Sequence, residues 1–291
     1  MNNVEMMIDW GNNDLLTIHE LNDIKELQEI CENAGGFQLK LNFDMLENRV
    51  GDRKEDFFHY DLDSGKLVGF LGSYGFGSKI ELCGMVHPEY RRQGIFTNLL
   101  NSAINEAKKH HVSTILLNAP TDSQTAKAFL QSIPCTFSVA EYQMQWQPTE
   151  LTPDTTVLIR PSVSQDDWEA EVQLGITAFG ESEADARVFQ EMISKESSDQ
   201  RYIIEEDGKI VGKMRVSEMN GETWIFGFAV FPELQGKGIG RKALTNVVIT
   251  ESQKGLPIFL EVEAKNIHAL KLYESCGFKS YHSQDYYLYQ D

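Results

Sequence analysis

The sequence has few cysteines, and none of them lies in a metal-binding pattern. The four are Cys31, Cys83, Cys135 and Cys276, with no C-x-x-C pair and no histidine at a spacing typical of a zinc site. We therefore predict that the protein binds no metal ion and that its thiols are reduced, as in the cytosol.

Long apolar runs are missing as well. No stretch approaches the roughly 20 apolar residues of a membrane-spanning helix, and the N-terminus lacks the basic and then apolar pattern of a signal peptide. We expect a soluble, cytoplasmic protein without a membrane partner.

Positive charge is scarce. The chain has 26 Lys and Arg residues against 44 Asp and Glu residues, and the formal net charge of −18 is shared equally by the two halves. We exclude nucleic acid as a partner because it requires a basic footprint, whereas an acidic surface is compatible with amine-bearing small molecules. The patterns G-x-x-x-x-G-K-[ST] and G-x-G-x-x-G are also absent, which argues against nucleoside triphosphates and dinucleotides.

The sequence does contain an internal repeat. Residues 82–100 return in altered form at 226–244, and this shift of 144 continues without a gap to residue 142. Upstream, residues 65–69 match 208–212 at a shift of 143, so one residue is inserted between the two blocks. The period far exceeds the roughly 20–50 residues of solenoid repeats and therefore predicts two similar globular domains.

The domain boundaries are expected around a polar segment that contains two prolines. We place an N-terminal domain at 1–147, a linker at 148–156 and a C-terminal domain at 157–291.

Hydrophobic periodicity predicts the same order of elements in both halves. The predicted helices span 22–33, 95–109, 166–178, 239–254 and 267–276. The predicted strands span 57–60, 66–74, 80–86, 114–117, 157–159, 201–205, 209–217, 224–230, 258–262 and 286–289. Each half is expected to be a mixed α/β (α+β) unit with a central mixed sheet flanked by helices.

A glycine-rich loop follows the central strand of each copy. In the second copy, glycines remove Cβ atoms where a backbone can approach a pyrophosphate, and the free N–H groups of the next helix start there. The predicted ligand-binding residues are Phe228, Ala229, Val230, Gln235, Gly236, Lys237, Gly238, Ile239, Gly240 and Arg241.

Two motifs of the second copy resemble a known family. They read Gln235-x-x-Gly238-x-Gly240 and Asn266-x-x-Ala269-x-x-Leu272-Tyr273-Glu274-x-x-Gly277-Phe278. Together they are similar to the acetyl-CoA signature of the GNAT superfamily of N-acetyltransferases. The resemblance covers both halves, as in tandem members such as mycothiol synthase. It implies two tandem GNAT-like domains and acetyl-CoA (coenzyme A) as the cofactor, but it does not imply the acceptor.

Tyr273 is the predicted proton donor, because a phenol can protonate the thiolate that leaves when an amine attacks a thioester. The resemblance places a tyrosine of this motif at the sulfur. Asn266 is expected to cap the following helix and to lie near the cofactor. The base that deprotonates the acceptor ammonium stays open between Glu222, just before the central strand, and Glu261 or Glu263 on the next strand.

The first copy departs from this pattern. Phe96 replaces the third glycine, and at the shift of 144 Phe129 replaces Tyr273 and Asp122 replaces Asn266. We therefore interpret the first half as a degenerate acetyltransferase domain without the phenolic donor. A second cofactor site stays open on its loop, formed by Met85, Val86, Arg91, Arg92, Gln93, Gly94, Ile95, Phe96 and Thr97.

We expect an acyl-CoA-dependent N-acetyltransferase that moves an acetyl group to a primary amine of a small molecule or peptide, with the C-terminal half catalytic. Two alternatives stay open. One is a protein that binds or senses acyl-CoA without turnover, and the other is catalysis in the N-terminal half, where Glu81 lies in the central strand. The internal repeat predicts a monomer built as a pseudo-dimer, or a weak homodimer.

Overall fold

The computed structural model describes residues 15–49, 53–76, 78–110, 112–195 and 199–290. Its helices are α1 (Ile18–Gly35), α2 (Phe43–Glu47), α3 (Ile95–Lys109), α4 (Gln124–Leu130), α5 (Gln165–Phe179), α6 (Glu183–Ser194), α7 (Ile239–Ser252) and α8 (Ile267–Ser275). Its strands are β1 (Asp56–Tyr60), β2 (Leu67–Phe76), β3 (Lys79–Val86), β4 (Thr114–Pro120), β5 (Cys135–Trp146), β6 (Val157–Pro161), β7 (Asp199–Glu206), β8 (Lys209–Met219), β9 (Glu222–Val230), β10 (Ile258–Glu263) and β11 (Phe278–Tyr289). The predicted mixed α/β class is confirmed.

The chain forms two compact units. The N-terminal unit comprises the residues up to Ser138 together with those from Gln284 onward, and the C-terminal unit runs from Val139 to Ser283. The compact units therefore differ from the two halves of the sequence. The boundaries at 147 and 157 stay predictions about separate folding domains.

In the N-terminal unit, the strands follow the order β1-β2-β3-β4-β11. The β3–β4 pair is parallel and the other pairs are antiparallel. One face of the sheet packs against α3 and α4 around Leu82, Leu100 and Leu117. The other face packs against α1 and α2 around Leu27 and Phe70.

In the C-terminal unit, the strands follow the order β5-β10-β9-β8-β7-β6, and only the β9–β10 pair among them is parallel. One face packs against α7 and α8 around Val248, Leu260 and Phe278. Met214 of β8 belongs to that core, so its neighbour Lys213 lies on the opposite face, where it contacts α5. The sheet thus separates α7 and α8 from α5.

The start of α5 is fastened to the edge strand β6. Ser164 and Asp167 form a capping box, in which each side chain accepts a hydrogen bond from the other's backbone N–H. Asp167 is 1% exposed and also accepts from both Arg160 Nη atoms, at 2.8 and 2.7 Å. The bidentate guanidinium holds the pKa of the Asp167 carboxyl well below its usual range.

The final strand of each half of the sequence joins the sheet of the other compact unit. Residues 141–145 of β5 pair with β10 in the C-terminal unit, and residues 284–288 of β11 pair with β4 in the N-terminal unit. In the N-terminal unit, Lys40 Nζ donates to the hydroxyl of Tyr286 at 2.8 Å. Each sheet therefore contains a strand from the other half of the sequence.

The inserted residue of the second copy is a β-bulge. The β2–β3 ladder has no register break, whereas the β8–β9 ladder shifts between Lys213 and Arg215. Gly227 and Phe228 consequently lie opposite the single residue Met214. This extra residue changes the shift between the copies from 143 to 144.

The shift returns to 143 after the helices α3 and α7. Leu82 pairs with Leu117 in the N-terminal unit, and Ile225 pairs with Leu260 in the C-terminal unit. The gapless alignment at 144 as far as residue 142 was therefore wrong beyond these helices. The segment from the start of α3 to β4 is one residue longer than its counterpart from α7 to β10.

Among the described residues, no helix is long and apolar enough to cross a membrane. The same residues contain no group of three or more His, Cys, Asp or Glu side chains that could hold a metal ion.

Candidate active site

The glycine-rich loop of the C-terminal unit follows β9. A single turn of 3-10 helix (Pro232–Leu234) leads into it, and Gln235 fastens it by donating from Nε2 to the carbonyl oxygen of Val230 at 2.9 Å. Gly236 and Gly238 have φ angles of +76° and +85°. Glycine enters this left-handed region without steric cost, so the loop conformation depends on these two residues.

Free backbone N–H groups lie close together at the start of α7. Gly238 is its N-cap and has no side chain that could satisfy the first-turn N–H groups. A Cβ added at Gly236 or Gly238 would meet no atom within 4 Å, and the side chains of Lys237 and Arg241 are exposed nearby. Open N–H groups at the positive end of a helix suit a phosphate.

Gly240 has a different task from the other two glycines. It lies in the first turn of α7, where an added Cβ would be 3.0 Å from Leu272 Cδ1 and 3.5 Å from Phe228 Cζ. Glycine therefore lets α7 start close to both β9 and α8.

β9 and β10 separate next to this loop. Their ladder ends at the pair Ile225 and Leu260, although β9 continues to Val230 and β10 to Glu263. The bulge residue Gly227, with φ +55°, lies in the separated part of β9. The bulge re-aims the backbone there, so this edge of β9 offers backbone hydrogen-bonding groups to the gap between the strands.

Tyr273 of α8 packs against the separated part of β9. Its ring is 8% exposed and lies 6.4 Å from the ring of Phe228 and 6.3 Å from that of Phe278, between centroids. Burial raises the pKa of Tyr273 to about 12, so the phenol is protonated at neutral pH. Its hydroxyl makes no hydrogen bond within the described parts of the chain.

Asn266 starts α8. Its Oδ1 accepts a hydrogen bond from the backbone N–H of Ala269 at 3.1 Å, the geometry of an N-cap. The cap uses only the amide oxygen, so the NH₂ group is left for another partner.

The three candidate bases occupy different places. Glu222 is the first residue of β9, at the end remote from the loop, and accepts a hydrogen bond from the indole N–H two residues later at 2.8 Å. Glu263 pairs with Lys265 at 3.0 Å and its side chain is 44% exposed. Glu261 is half-buried, follows the last β9–β10 pair directly and accepts from Gln143 Nε2 at 2.9 Å. Of the three, Glu261 lies nearest to the point where the strands separate.

A buried polar cluster lies on the α5 side of the same sheet, and the sequence did not single it out. Glu171 Oε2 accepts from Ser162 Oγ at 2.9 Å, Gln190 Nε2 at 2.8 Å and Arg201 Nη1 at 3.0 Å. Lys213 Nζ donates to the backbone oxygen of Glu171 at 2.8 Å. The available signal was a lysine inside the apolar run of β8.

The loop of the N-terminal unit has the same backbone conformation. Gly94 caps α3 with φ +82°, and Arg92 stands at the position of Gly236 with φ +65°. That angle is strained for a residue with a side chain. Arg91 Nε donates to the carbonyl oxygen of Val86 at 3.0 Å, so the loop is fastened as in the other copy.

The helix caps correct the alignment of the two copies. α4 begins at its N-cap Ser123, as α8 begins at Asn266. Counting from these caps places Leu130, which is buried in the core, at the position of Tyr273. The sequence alignment, which placed Phe129 there and an aspartate at the cap, was wrong by one residue. The N-terminal unit has no phenol at this position in either alignment.

Three further features distinguish the N-terminal unit. Phe96 stands at the position of Gly240 and packs edge-on against Phe129, with 4.9 Å between ring centroids. Asn118 follows the last β3–β4 pair, where the C-terminal unit has Glu261. Its buried amide has no hydrogen-bond partner in the described residues. The β3 strand has no bulge.

Comparisons with known proteins identify the family. The profile of the acetyltransferase (GNAT) family matches residues 21–133 and 162–278. Spermine/spermidine N(1)-acetyltransferase of Bacillus subtilis is 37% identical over 62 residues, which are 21% of this chain and 41% of that protein, less than half of its length. Mycothiol acetyltransferase of Saccharomonospora viridis is 28% identical over 246 residues, covering 75% of this chain and 78% of that protein.

A solved structure gives the same result for the fold. A GCN5-related N-acetyltransferase from Sphaerobacter thermophilus superposes with a TM-score of 0.78 and 20% identity, over 94% of this chain and 93% of that chain. The two profile matches cover most of the chain, and each falls in a different half. The chain therefore belongs to the GNAT family of acetyltransferases, as a tandem member with one copy of the family's fold in each half of its sequence.

Proposed function

We propose that the protein transfers an acetyl group from acetyl-CoA to a primary amine of a small-molecule or peptide acceptor, and that the C-terminal unit carries out the transfer. One observation carries the proposal: in that unit the open loop before α7, the separated and bulged edge of β9, and Tyr273 lie next to one another. Of these features, the N-terminal unit has the loop and the strand separation but neither the bulge nor the phenol.

The acetyl donor, acetyl-CoA, would be held by the loop and by the β9 edge. Backbone N–H groups from Gly236 to Arg241 would bind the pyrophosphate of the coenzyme. The open strand edge would form hydrogen bonds with the amide-bearing arm of the coenzyme, as it would with an added β-strand. Acetyl-CoA supplies an activated acyl carbonyl. The backbone donors at the bulge are available to stabilise charge that develops on its oxygen.

Tyr273 would protonate the departing sulfur. A phenol with a pKa of about 12 is a weaker acid than a free phenol, while an ordinary thiol has a pKa of about 8.5. Burial disfavours the thiolate as it disfavours the phenolate, so a sulfur held beside Tyr273 would also have a raised pKa. The same desolvation therefore reduces the difference between the pKa of the Tyr273 phenol and the pKa of the leaving thiol.

Glu261 is our choice for the general base. Leu260 and Val262 belong to the core that contains Tyr273, so alternation along β10 places Glu261 on the other face of the sheet. The acid and the base would thus act from opposite sides of the gap. This arrangement suits an amine that arrives from one side while the thiol leaves from the other.

The proposal is tested by thiol release from acetyl-CoA with a panel of amines, together with mass spectrometry of the products. The panel contains polyamines, aminoglycosides, amino acids and peptides with free N-termini. We expect acceptor-dependent thiol release and an N-acetylated product. Calorimetric binding of acetyl-CoA without release for any amine would refute the transferase and favour the binding protein.

A further inference from the structure

A buried lysine flanks the bulge of the C-terminal sheet. Lys213 is the last residue of β8 to pair with β9 before the register shifts, and the next pair in the ladder joins Arg215 to Phe226. Lys213 and the bulge residue Gly227 line the same small cavity on the α5 side of the sheet. Lys213 therefore lies beside the strand segment whose backbone would receive the acetyl carbonyl.

The side chain of Lys213 ties β8 to α5. Its Nζ donates a hydrogen bond to the backbone oxygen of Glu171 at 2.8 Å, and the ring of Phe179 lies 5.7 Å from Nζ. Burial lowers the pKa of Lys213, the carboxylates of Glu171 and Glu181 oppose this effect, and Arg215 adds to it. The ammonium is thus held by a hydrogen bond, by an aromatic ring and by two carboxylates, all from α5 or the segment that follows it.

The point on α5 to which Lys213 is tied is itself fixed. Glu171 is 3% exposed, and its Oε2 accepts hydrogen bonds from three side chains of neighbouring elements, those of Ser162, Gln190 and Arg201. The Glu171 carboxylate would keep these three partners if Lys213 were replaced. Such a replacement therefore leaves this buried carboxylate paired and tests the lysine alone.

The N-terminal unit lacks both the bulge and the lysine. Gly69 and Gly212 are equivalent in the two units because each pairs with the last residue of the following strand. The equivalent of Lys213 is therefore Phe70, which is fully buried in an apolar core. The fold thus accepts an apolar residue at this position, and buried charged groups rarely stabilise a fold more than apolar packing does. A role in shaping the bulge explains the lysine better than a contribution to stability.

We propose that Lys213 is a positioning residue of the acetyl transfer: by anchoring β8 to α5, it keeps β9 in the bulged conformation that presents backbone N–H groups to the acetyl carbonyl. The inference rests on the proposed function and adds a residue to the same site. Lys213 touches neither acetyl-CoA nor the amine in this proposal. It acts through the backbone at Gly227, where a displacement of about 1 Å costs up to about 100-fold in rate.

Steady-state kinetics test the consequence for the reaction. Lys213→Met removes the ammonium and keeps an unbranched side chain, and we expect kcat to fall about 10- to 100-fold. The calorimetric affinity for acetyl-CoA should be unchanged, because the loop before α7 is left intact. Lys213→Arg retains a donor for the backbone oxygen of Glu171 and should recover most of kcat. An unchanged kcat in Lys213→Met would overturn the proposal.

A matched control separates positioning from a general loosening of α5. Asp167→Asn breaks the ion pair with Arg160 that fastens the start of α5 to β6. This variant should lower the free energy of unfolding and leave kcat unchanged. Circular dichroism and denaturant titration check the fold, and Lys213→Leu replaces Lys213→Met should the latter not fold. Equal losses of kcat in the lysine variant and in Asp167→Asn would contradict the proposal.

Nuclear magnetic resonance of the free protein tests the bulge itself. Three glycines of the sequence follow a phenylalanine, namely Gly77, Gly180 and Gly227. Labelling with 13C′-phenylalanine and 15N-glycine therefore leaves the amide signals of these three in a carbonyl-filtered spectrum. The Gly227 signal should be broadened, doubled or displaced in Lys213→Met, because β9 would leave its single bulged conformation, and it should be restored in Lys213→Arg. A signal of unchanged position and width in Lys213→Met would refute the anchor.

The spectrum separates this inference from the proposed function, since it needs neither acetyl-CoA nor turnover. A Gly227 signal that depends on Lys213, with no thiol release for any amine, would reject the transferase and keep Lys213 as the anchor of the bulge. Thiol release that is the same in the wild type and in Lys213→Met would reject the positioning role and keep the transferase.

Discussion

Replacing Tyr273 by phenylalanine separates proton donation from packing. The ring is buried, and its hydroxyl has no hydrogen-bond partner in the described chain, so the change breaks no internal bond. We expect the free energy of unfolding to change by less than about 0.5 kcal/mol. A positioned acid contributes about 10²-fold to the rate, so kcat should fall about 100-fold, or about 2.7 kcal/mol in activation free energy. The affinity for acetyl-CoA should be unchanged.

The assay is thiol release at saturating acceptor, repeated with acyl donors whose thiols have progressively lower pKa values. The defect of Tyr273→Phe should shrink along this series, because a better leaving group departs without a proton donor. Tyr142→Phe is the matched control, since Tyr142 packs against the same core. Its kcat should equal that of the wild type.

The pKa of Tyr273 adds a second readout. Because burial raises it to about 12, the donor stays protonated through the neutral and mildly alkaline range. A loss of kcat that comes from Tyr273 should appear only above about pH 11. Full kcat in Tyr273→Phe, measured where chemistry limits the rate, would refute the reasoning and make Tyr273 a packing residue.

Three further outcomes are expected. Gly238→Asp should weaken acetyl-CoA binding, measured by calorimetry, at least about tenfold because the new carboxylate repels the pyrophosphate. Gly94→Asp should leave kcat within a few-fold of the wild type. A hundredfold loss of kcat in Gly94→Asp would assign catalysis to the N-terminal unit. Glu261→Gln should lower kcat, while Glu263→Gln should not, and the reverse result would make Glu263 the base. The depressed pKa of Asp167 stabilises the fold above the unfolded value of about 3.9, so denaturant titrations should show stability falling as the pH drops from there through the folded value. The stability of Asp167→Asn should lack this part of the pH dependence. The same dependence of stability on pH in the variant and in the wild type would refute the prediction.

The loop was predictable from sequence because its conformation depends on local residues. Gly236 and Gly238 occupy φ angles that favour glycine, and a glycine-rich segment between an apolar strand and a helix already indicates an anion site. The cap at Asn266 is also a local feature, with its first helical partner three residues later. Such elements depend on contacts that are close in sequence.

The features that the sequence did not reveal depend on contacts between residues that are distant in sequence. The sequence revealed an insertion but could not place it at Gly227, because the bulge is defined by its relation to Met214 on another strand. The position of Tyr273 in the first copy was missed by one residue for the same reason. Lys213 was overlooked because alternation along a strand does not tell which polar side chain is buried, and burial there depends on α5.

The exchange of strands sets an order for the synthesis of the protein. β11 follows all the other strands in the sequence, and it is the antiparallel neighbour of β4 in the N-terminal unit. The ribosome therefore makes β1 to β4 first but supplies the last strand of their sheet only after it has made the C-terminal unit. Until then β4 is an unprotected edge, open to pairing with another nascent chain. A premature stop after Ser283 would thus damage the part of the molecule made earliest, and it would leave the C-terminal loop and Tyr273 in the chain.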